Sequence, residues 1–147
     1  MSLKKMKLKQ ATIYMLKAIL FEVLAMLITA SSILSLILNL NILNSLYHFL
    51  EEFFIVGILG SLPVILFIFW FGQTTEFHRN ESKISYIFLG ISLMFFLLLI
   101  GVITGNLIKE NGNEMMNAIL SFFVFGGIQT TMIGVWLGVK LNKIKSL

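Results

Sequence analysis

The residue with the clearest chemical potential in this sequence is a carboxylate inside an apolar run. Glu22 lies within "LKAILFEVLAMLITASSIL", residues 16–34, and no other acidic residue occurs in that stretch. A carboxylate surrounded by hydrocarbon is costly unless it is protonated, paired or hydrogen-bonded. Three alternatives stay open at this point: a structural acid that is paired or protonated, a group that moves protons or cations, or an acid that meets a basic residue of a partner subunit.

The other titratable residues do not form a recognisable catalytic or metal-binding set. His78 lies in "TEFHRNE", a charged segment that is typical of a solvated loop. The chain contains no cysteine, which excludes disulfides, thiolate metal sites and cysteine nucleophiles. We therefore expect no enzyme activity, no metal site and no cofactor.

One short segment resembles a known catalytic motif. In "EEFFIVG", Glu51, Glu52 and Gly57 match the paired-glutamate motif of the CAAX-type intramembrane protease family, in which an arginine precedes that glycine. Val56 stands at the arginine position here, and no separate histidine motif follows on a later apolar run. The resemblance covers seven residues and implies membrane proteolysis, but these departures lead us to expect no such activity.

The composition indicates a membrane protein. The 147 residues are 58% hydrophobic and 12% charged, whereas soluble domains are about 25% charged. A helix needs about 20 apolar residues to cross a bilayer, and four runs have that character: Ala18–Leu40, Phe53–Phe71, Ile84–Ile108 and Met115–Val139. The sequence predicts an all-α integral membrane protein, an antiparallel bundle of four transmembrane helices forming one domain over residues 1–147.

The basic residues predict how this bundle is oriented. If both termini are cytoplasmic, ten of the eleven basic residues face the cytoplasm and only Lys109 lies outside, as the positive-inside rule requires. Membrane orientation thus accounts for the excess of basic residues behind the net charge of +4. We therefore expect no nucleic-acid binding. The first run continues beyond the length of a signal-peptide core, which favours an uncleaved span. Ten of the eleven basic residues are lysine, and isoleucine and asparagine are plentiful. This bias suggests the AT-rich genome of a low-GC bacterium, so we expect the membrane to be a bacterial cell membrane.

The surroundings of Glu22 predict a protein-facing helix surface. The other residues on its helical face are small or hydroxylated: Ala18, Ala25, Thr29 and Ser32. Helices in lipid approach one another through such residues. Lys140 ends the fourth predicted span at a similar membrane depth, so we expect an ion pair between Glu22 and Lys140 that joins the first helix to the last.

Small residues also recur on the third and fourth predicted spans. The fourth span carries a ladder at four-residue spacing: Gly126, Thr130, Gly134 and Gly138. The third span carries Gly101 and Gly105 at the same spacing. We expect these residues to pack the third helix on the fourth, with oligomerisation through the fourth helix as the alternative. Gln129 is expected to form an interhelical hydrogen bond or, alternatively, to contact a substrate.

Functional expectations follow from this pattern of packing residues without a catalytic set. We expect a non-catalytic accessory or interaction subunit in the lipid bilayer, either the partner of a transporter or sensor or a self-immunity protein against a membrane-active peptide. Its partner would be another membrane protein or a second copy of the chain. The alternative is a small, oligomeric transporter or channel component that uses Glu22.

Overall fold

The computed structural model describes residues 3–39, 41–74, 82–108 and 115–145. These ranges form four helices: α1 (Leu3–Leu38), α2 (Ile42–Thr74), α3 (Lys83–Ile108) and α4 (Met115–Lys145). Within the described ranges, only Asn39, Asn41 and Ser82 lie outside a helix. The predicted all-α class is confirmed.

Short polar residues set the helix boundaries. Asn39 ends α1 in the left-handed conformation, with φ 54°, and asparagine is one of the few residues that adopt this conformation readily. Asn41 caps α2, because its Oδ1 accepts a hydrogen bond from the Leu43 amide at 3.3 Å. Ser82 caps α3 in the same way, with its Oγ accepting from the Ser85 amide at 3.2 Å. Such caps satisfy amides that have no partner within the helix.

Three of the helices extend beyond the predicted spans. α1 has 36 residues and α2 has 33, which correspond to about 54 and 50 Å at 1.5 Å per residue. The segment 42–52, which the hydropathy pattern leaves outside the second span, is helical and continuous with it. The apolar run thus predicts only part of this helix, and the cap at Asn41 determines where the helix begins.

The four helices pack in a closed order, in which neighbouring helices run in opposite directions. α1 contacts α2 and α4, and α3 contacts α2 and α4, with the most extensive contact between α3 and α4. The antiparallel direction of α1 and α4 is given by two pairs along their length. Tyr14 contacts Trp136, whereas Thr29 contacts Gln129.

Glycine allows the backbones of α3 and α4 to touch. A Cβ atom added to Gly90 would overlap the carbonyl oxygen of Gly134 and the amide nitrogen of Gly138. A Cβ atom added to Gly134 would lie 2.6 Å from the Cα atom of Ile91. Any larger residue at these positions would therefore force the two helices apart.

Glycines also allow close approach of two other helix pairs, α2 with α3 and α1 with α2. A Cβ atom at Gly60 of α2 would overlap the carbonyl oxygen of Gly101 on α3. A Cβ atom at Gly72 of α2 would overlap the hydroxyl of Thr12 on α1. The contact of Gly101 with α2 corrects the expectation that this glycine packs α3 on α4. The four-residue spacing of Gly101 and Gly105 identifies a helix face made of small residues. It does not specify which helix packs on that face.

Gly105 and Gly126 are both buried. The carbonyl of Gly126 accepts a hydrogen bond from the Thr130 hydroxyl at 2.8 Å. These two glycines therefore lie on packed faces of α3 and α4.

The centre of the structure is filled by large apolar side chains. Residues from all four helices are completely buried there, namely Met15, Ile68, Met94, Leu97, Leu137 and Leu141. Many equally apolar side chains point outward, including Ile28 at 69% exposure and Leu66 at 70%. Much of the exterior formed by the described side chains is thus apolar.

Two helical segments, Met6–Ile33 and Lys83–Gly105, are long and apolar enough to cross a membrane. Ile58–Gly72 is a shorter apolar segment. The predicted second and fourth spans include residues 53–57 and 115–125, whose side chains lie outside the described part of the chain.

The backbone contact at Gly90 gives a direct stability test. Gly90→Ala is expected to lower the free energy of unfolding by about 1–3 kcal/mol, because the new methyl group overlaps the α4 backbone. The thermal midpoint in mild detergent measures this change. The matched control is Gly127→Ala, where an added Cβ meets no atom within 4 Å and alanine favours the helix. A Gly90→Ala protein as stable as this control would contradict the packing.

Candidate functional site

The candidate site lies between α1 and α4, where the buried acid finds its partner. Glu22 and Thr130 are both completely buried. The Thr130 hydroxyl donates to the Glu22 Oε1 atom at 2.6 Å. Among the described residues, Glu22 Oε2 has no hydrogen-bond partner. One half of the carboxyl group is therefore satisfied by α4, and the other half is not.

The Thr130 hydroxyl stands between two acceptors. Its Oγ1 atom lies 2.6 Å from Glu22 Oε1 and 2.8 Å from the carbonyl oxygen of Gly126. A hydroxyl has one hydrogen to donate, so an ionised Glu22 competes with Gly126 for it. A protonated Glu22 instead donates to Oγ1 and leaves the hydroxyl bonded to Gly126. Glu22 and Thr130 can therefore be hydrogen-bonded across the two helices in either protonation state of Glu22.

A second polar contact repeats this arrangement farther along the helices. The Thr29 hydroxyl lies 2.9 Å from the Gln129 Oε1 atom and 2.9 Å from the carbonyl oxygen of Ala25. Here the competition can be relieved by rotation of the Gln129 amide, which presents an NH₂ group to the hydroxyl. Gln129 thus forms an interhelical hydrogen bond, one of the two roles expected for it.

Aromatic side chains form the next part of the α1–α4 contact. Trp136 lies edge-on to Tyr14 and to Phe21, with ring centroids 6.3 and 5.4 Å apart. The Lys140 Nζ atom lies 5.9 Å from the centre of the Tyr14 ring and 5.7 Å from that of Trp136. Both distances are in the range of a cation–π interaction, so the ammonium group is held above two ring faces.

This position of Lys140 corrects the expected ion pair. Glu22 is hydrogen-bonded to Thr130, and Lys140 follows Thr130 by ten residues, which is about 15 Å along a helix. The two charges were assigned similar depths because each lies near the end of an apolar run. In the structure, Glu22 lies against Thr130 on α4, whereas Lys140 lies over the rings of Tyr14 and Trp136.

The other residues of the predicted Glu22 face differ in how far their side chains are buried. Ala18 is completely buried, and Ala25 and Thr29 are half-buried. Ser32 is exposed, and its hydroxyl donates to the Ile28 carbonyl of its own helix at 2.8 Å. Ser31 is the buried serine, at 3% exposure. Steps of three and four residues drift from the 3.6-residue helical period, so the predicted face is displaced by one position at its end.

A metal site in the described part of the chain would require histidine, cysteine, aspartate or glutamate side chains that lie close together. No group of three or more histidine, cysteine, aspartate or glutamate side chains that could hold a metal occurs there. The side chains of Glu51, Glu52 and His78 lie outside the described residues. Glu22 is thus the only acid whose side chain the structure describes, and what it can do chemically is accept or release a proton next to Thr130.

Sequence reasoning missed the aromatic part of this contact. Tyr14 and Trp136 lie on different helices, 122 positions apart, and each looks like an ordinary apolar residue in its own run. The available signal is the spacing of Tyr14, Lys17 and Phe21, which places three amphipathic or aromatic residues on one helical face near the basic end of α1.

Comparison of the chain with protein-family models, with curated proteins and with solved structures gives no match. The site therefore has to be interpreted from its own geometry.

The Glu22–Thr130 hydrogen bond predicts a measurable loss of stability. Thr130→Val is expected to lower the free energy of unfolding by about 1–2 kcal/mol, because it leaves a buried carboxyl group without its donor. Thermal unfolding in detergent measures the change. Thr131→Val is the matched control, since Thr131 has the same bond to a backbone carbonyl, at 2.8 Å to Gly127, but is exposed.

A double substitution separates this hydrogen bond from general disruption of packing. Glu22→Leu together with Thr130→Val removes both polar partners at once, which is expected to cost less than Thr130→Val alone. Equal losses for Thr130→Val and Thr131→Val would show that the contact with Glu22 contributes nothing.

Proposed function

We propose that the chain is a multi-pass protein of the bacterial cell membrane. In this proposal it forms an antiparallel bundle of four spans, with both termini in the cytoplasm, and it acts as a non-catalytic accessory or interaction subunit. The observation that carries the proposal is the apolar exterior. In Met6–Ile33 and Lys83–Gly105, only 22% of the most apolar window is buried within the protein.

This exposed surface needs a hydrocarbon environment. Monomeric soluble proteins rarely expose contiguous apolar patches larger than a few hundred Å². Here α1 exposes Leu20, Phe21, Val23 and Leu24 within five consecutive residues, with Glu22 buried between them. In water such a surface would promote aggregation, whereas in a bilayer it contacts lipid tails or the spans of another membrane protein.

The filled interior supports an interaction role over a conducting one. The central side chains Met94, Leu97 and Leu137 are completely buried and apolar. A path for ions or polar substrates through a single chain would have to displace them. The buried polar residues of the described chain, Glu22, Ser31 and Thr130, are on α1 and α4 and not in this apolar centre. A partner subunit or a peptide would meet the outer apolar faces of the helices.

The transporter alternative is favoured by one specific feature. Glu22 presents an unpartnered carboxyl oxygen beside a hydroxyl that can take up either of two hydrogen-bond arrangements. An intramembrane acid of this kind is suited to proton binding. In an oligomer, the α1–α4 contact of each chain would form part of a pathway.

Topology provides the first test of the membrane proposal. The chain has no cysteine, so single cysteines at Ser45, Asn80 and Asn113 report on individual loops. An impermeant thiol reagent applied to intact cells is expected to label positions 45 and 113, and to reach position 80 only after the membrane is permeabilised. Labelling of position 80 in intact cells, with 45 and 113 protected, would overturn the orientation.

Isolation from the native membrane distinguishes the two functions. An accessory subunit is expected to co-purify with a second membrane protein after mild detergent extraction, and to give no proton flux in liposomes. A transporter is expected to carry protons in liposomes as the purified chain, with loss of flux in Glu22→Gln. Thr131→Val serves as the control in that assay, because it alters an exposed hydroxyl on the same helix. Flux that depends on Glu22 would replace the accessory proposal with the transporter.

A further inference from the structure

The outer surface of the α1–α4 contact combines cationic, aromatic and apolar groups in a fixed order. At one end, the Lys140 ammonium lies over the rings of Tyr14 and Trp136. Lys17 follows Tyr14 by three residues and precedes Phe21 by four, so it lies on the same face of α1. Lys17 and Phe21 are both exposed.

The same surface becomes purely apolar farther from these lysines. On α1 the exposed face continues through Leu24 and Ile28, and on α4 exposed apolar residues continue through Met132 and Ile128. From Lys17 to Ile28 the distance is 11 residues, about 16 Å along a helix. This is close to half of a hydrocarbon core about 30 Å thick, and so to one leaflet.

We propose that this surface binds one anionic phospholipid of the cytoplasmic leaflet. The phosphate group would lie between the ammonium groups of Lys17 and Lys140, the aromatic rings would lie at the level of the glycerol backbone, and an acyl chain would follow the apolar part of the surface. The inference rests on the membrane location proposed above. Tyrosine and tryptophan favour this interfacial depth, and basic pockets between spans bind anionic headgroups.

The charge balance of the surface supports an anion over a zwitterionic headgroup. Lys17 and Lys140 supply two positive charges, and Glu22, the acid that the structure describes on these two helices, is completely buried. The ammonium of Lys140 is also restrained by two rings, which reduces the conformational freedom it loses on binding. Each lysine near such a group contributes about 1 kcal/mol, so two lysines correspond to a preference of roughly 30-fold.

Quenching of tryptophan fluorescence by brominated lipids tests the proposal. The chain has two tryptophans, so Trp70→Phe leaves Trp136 as the only source of tryptophan fluorescence. In this protein, in nanodiscs of mixed lipids, brominated phosphatidylglycerol is expected to quench Trp136 at a mole fraction roughly 30-fold lower than brominated phosphatidylcholine. Equal quenching by the two lipids would overturn the proposal, and this comparison depends on no lysine variant.

A pair of matched double variants tests the residues. Lys17→Gln with Lys140→Gln is expected to abolish the preference for phosphatidylglycerol, whereas Lys140→Arg, which keeps the charge, retains it. The control is Lys9→Gln with Lys83→Gln, which removes two exposed charges from outside this surface. If the control pair reduces the preference as much as the first pair does, the attraction is a general effect of net charge and the site is refuted.

Two further measurements separate the sources of failure. Excess inorganic phosphate is expected to leave the quenching preference unchanged, and its loss would indicate a site for free phosphate in place of a lipid. Every variant is also fractionated from cells. A chain that inserts into membranes but shows no lipid preference refutes this site alone, whereas a chain recovered outside the membrane refutes the membrane proposal itself.

Discussion

Close approach of helix backbones at glycine is the constraint on which the rest of the structure depends. The outward and inward faces of these helices are both apolar, so burial of hydrocarbon alone does not select one packing over another. In a bilayer the lipid tails are as apolar as the side chains, and association depends on van der Waals contact and interhelical hydrogen bonds. Gly90 against Gly134 and Gly138, and Gly60 against Gly101, provide contacts that no other residue permits.

The α1–α4 contact is stabilised by interhelical hydrogen bonds between side chains, and the polar groups of the candidate site therefore lie there. Its small residues are accompanied by hydroxyl, amide and carboxyl groups, and the resulting bonds join Thr130 to Glu22 and Thr29 to Gln129. Such bonds are worth about 1 kcal/mol each in membrane proteins. Because both bonds join particular residues of α1 and α4, they favour one relative register of the two helices. The aromatic group around Trp136 then covers the end of this contact.

The sequence predicts the helical class well, because apolar runs of about 20 residues and polar caps are local properties. It predicts faces less well. The glycine ladder of α4 identifies Gly134 and Gly138, but nothing local distinguishes Gly90 or Gly60 from an incidental glycine. Partner choice is predicted least well, since it depends on three-dimensional order. Gly101 contacts α2, and Lys140 contacts two aromatic rings and not Glu22. The sequence does not predict these partners, because opposite charge and small size do not indicate where along a helix two residues lie.

The separation of Glu22 and Thr130 along the chain has a consequence for biosynthesis. The three glycine contacts join helices that are consecutive in sequence, whereas the carboxyl group of α1 meets a donor 108 residues farther on. At ribosomal speeds of about 5–20 residues per second, that donor is made roughly 5–20 s later. In the membrane location proposed above, the nascent first helix would hold Glu22 without its Thr130 donor during this interval. Under that proposal, release of the completed protein into lipid would be coupled to the arrival of its final helix.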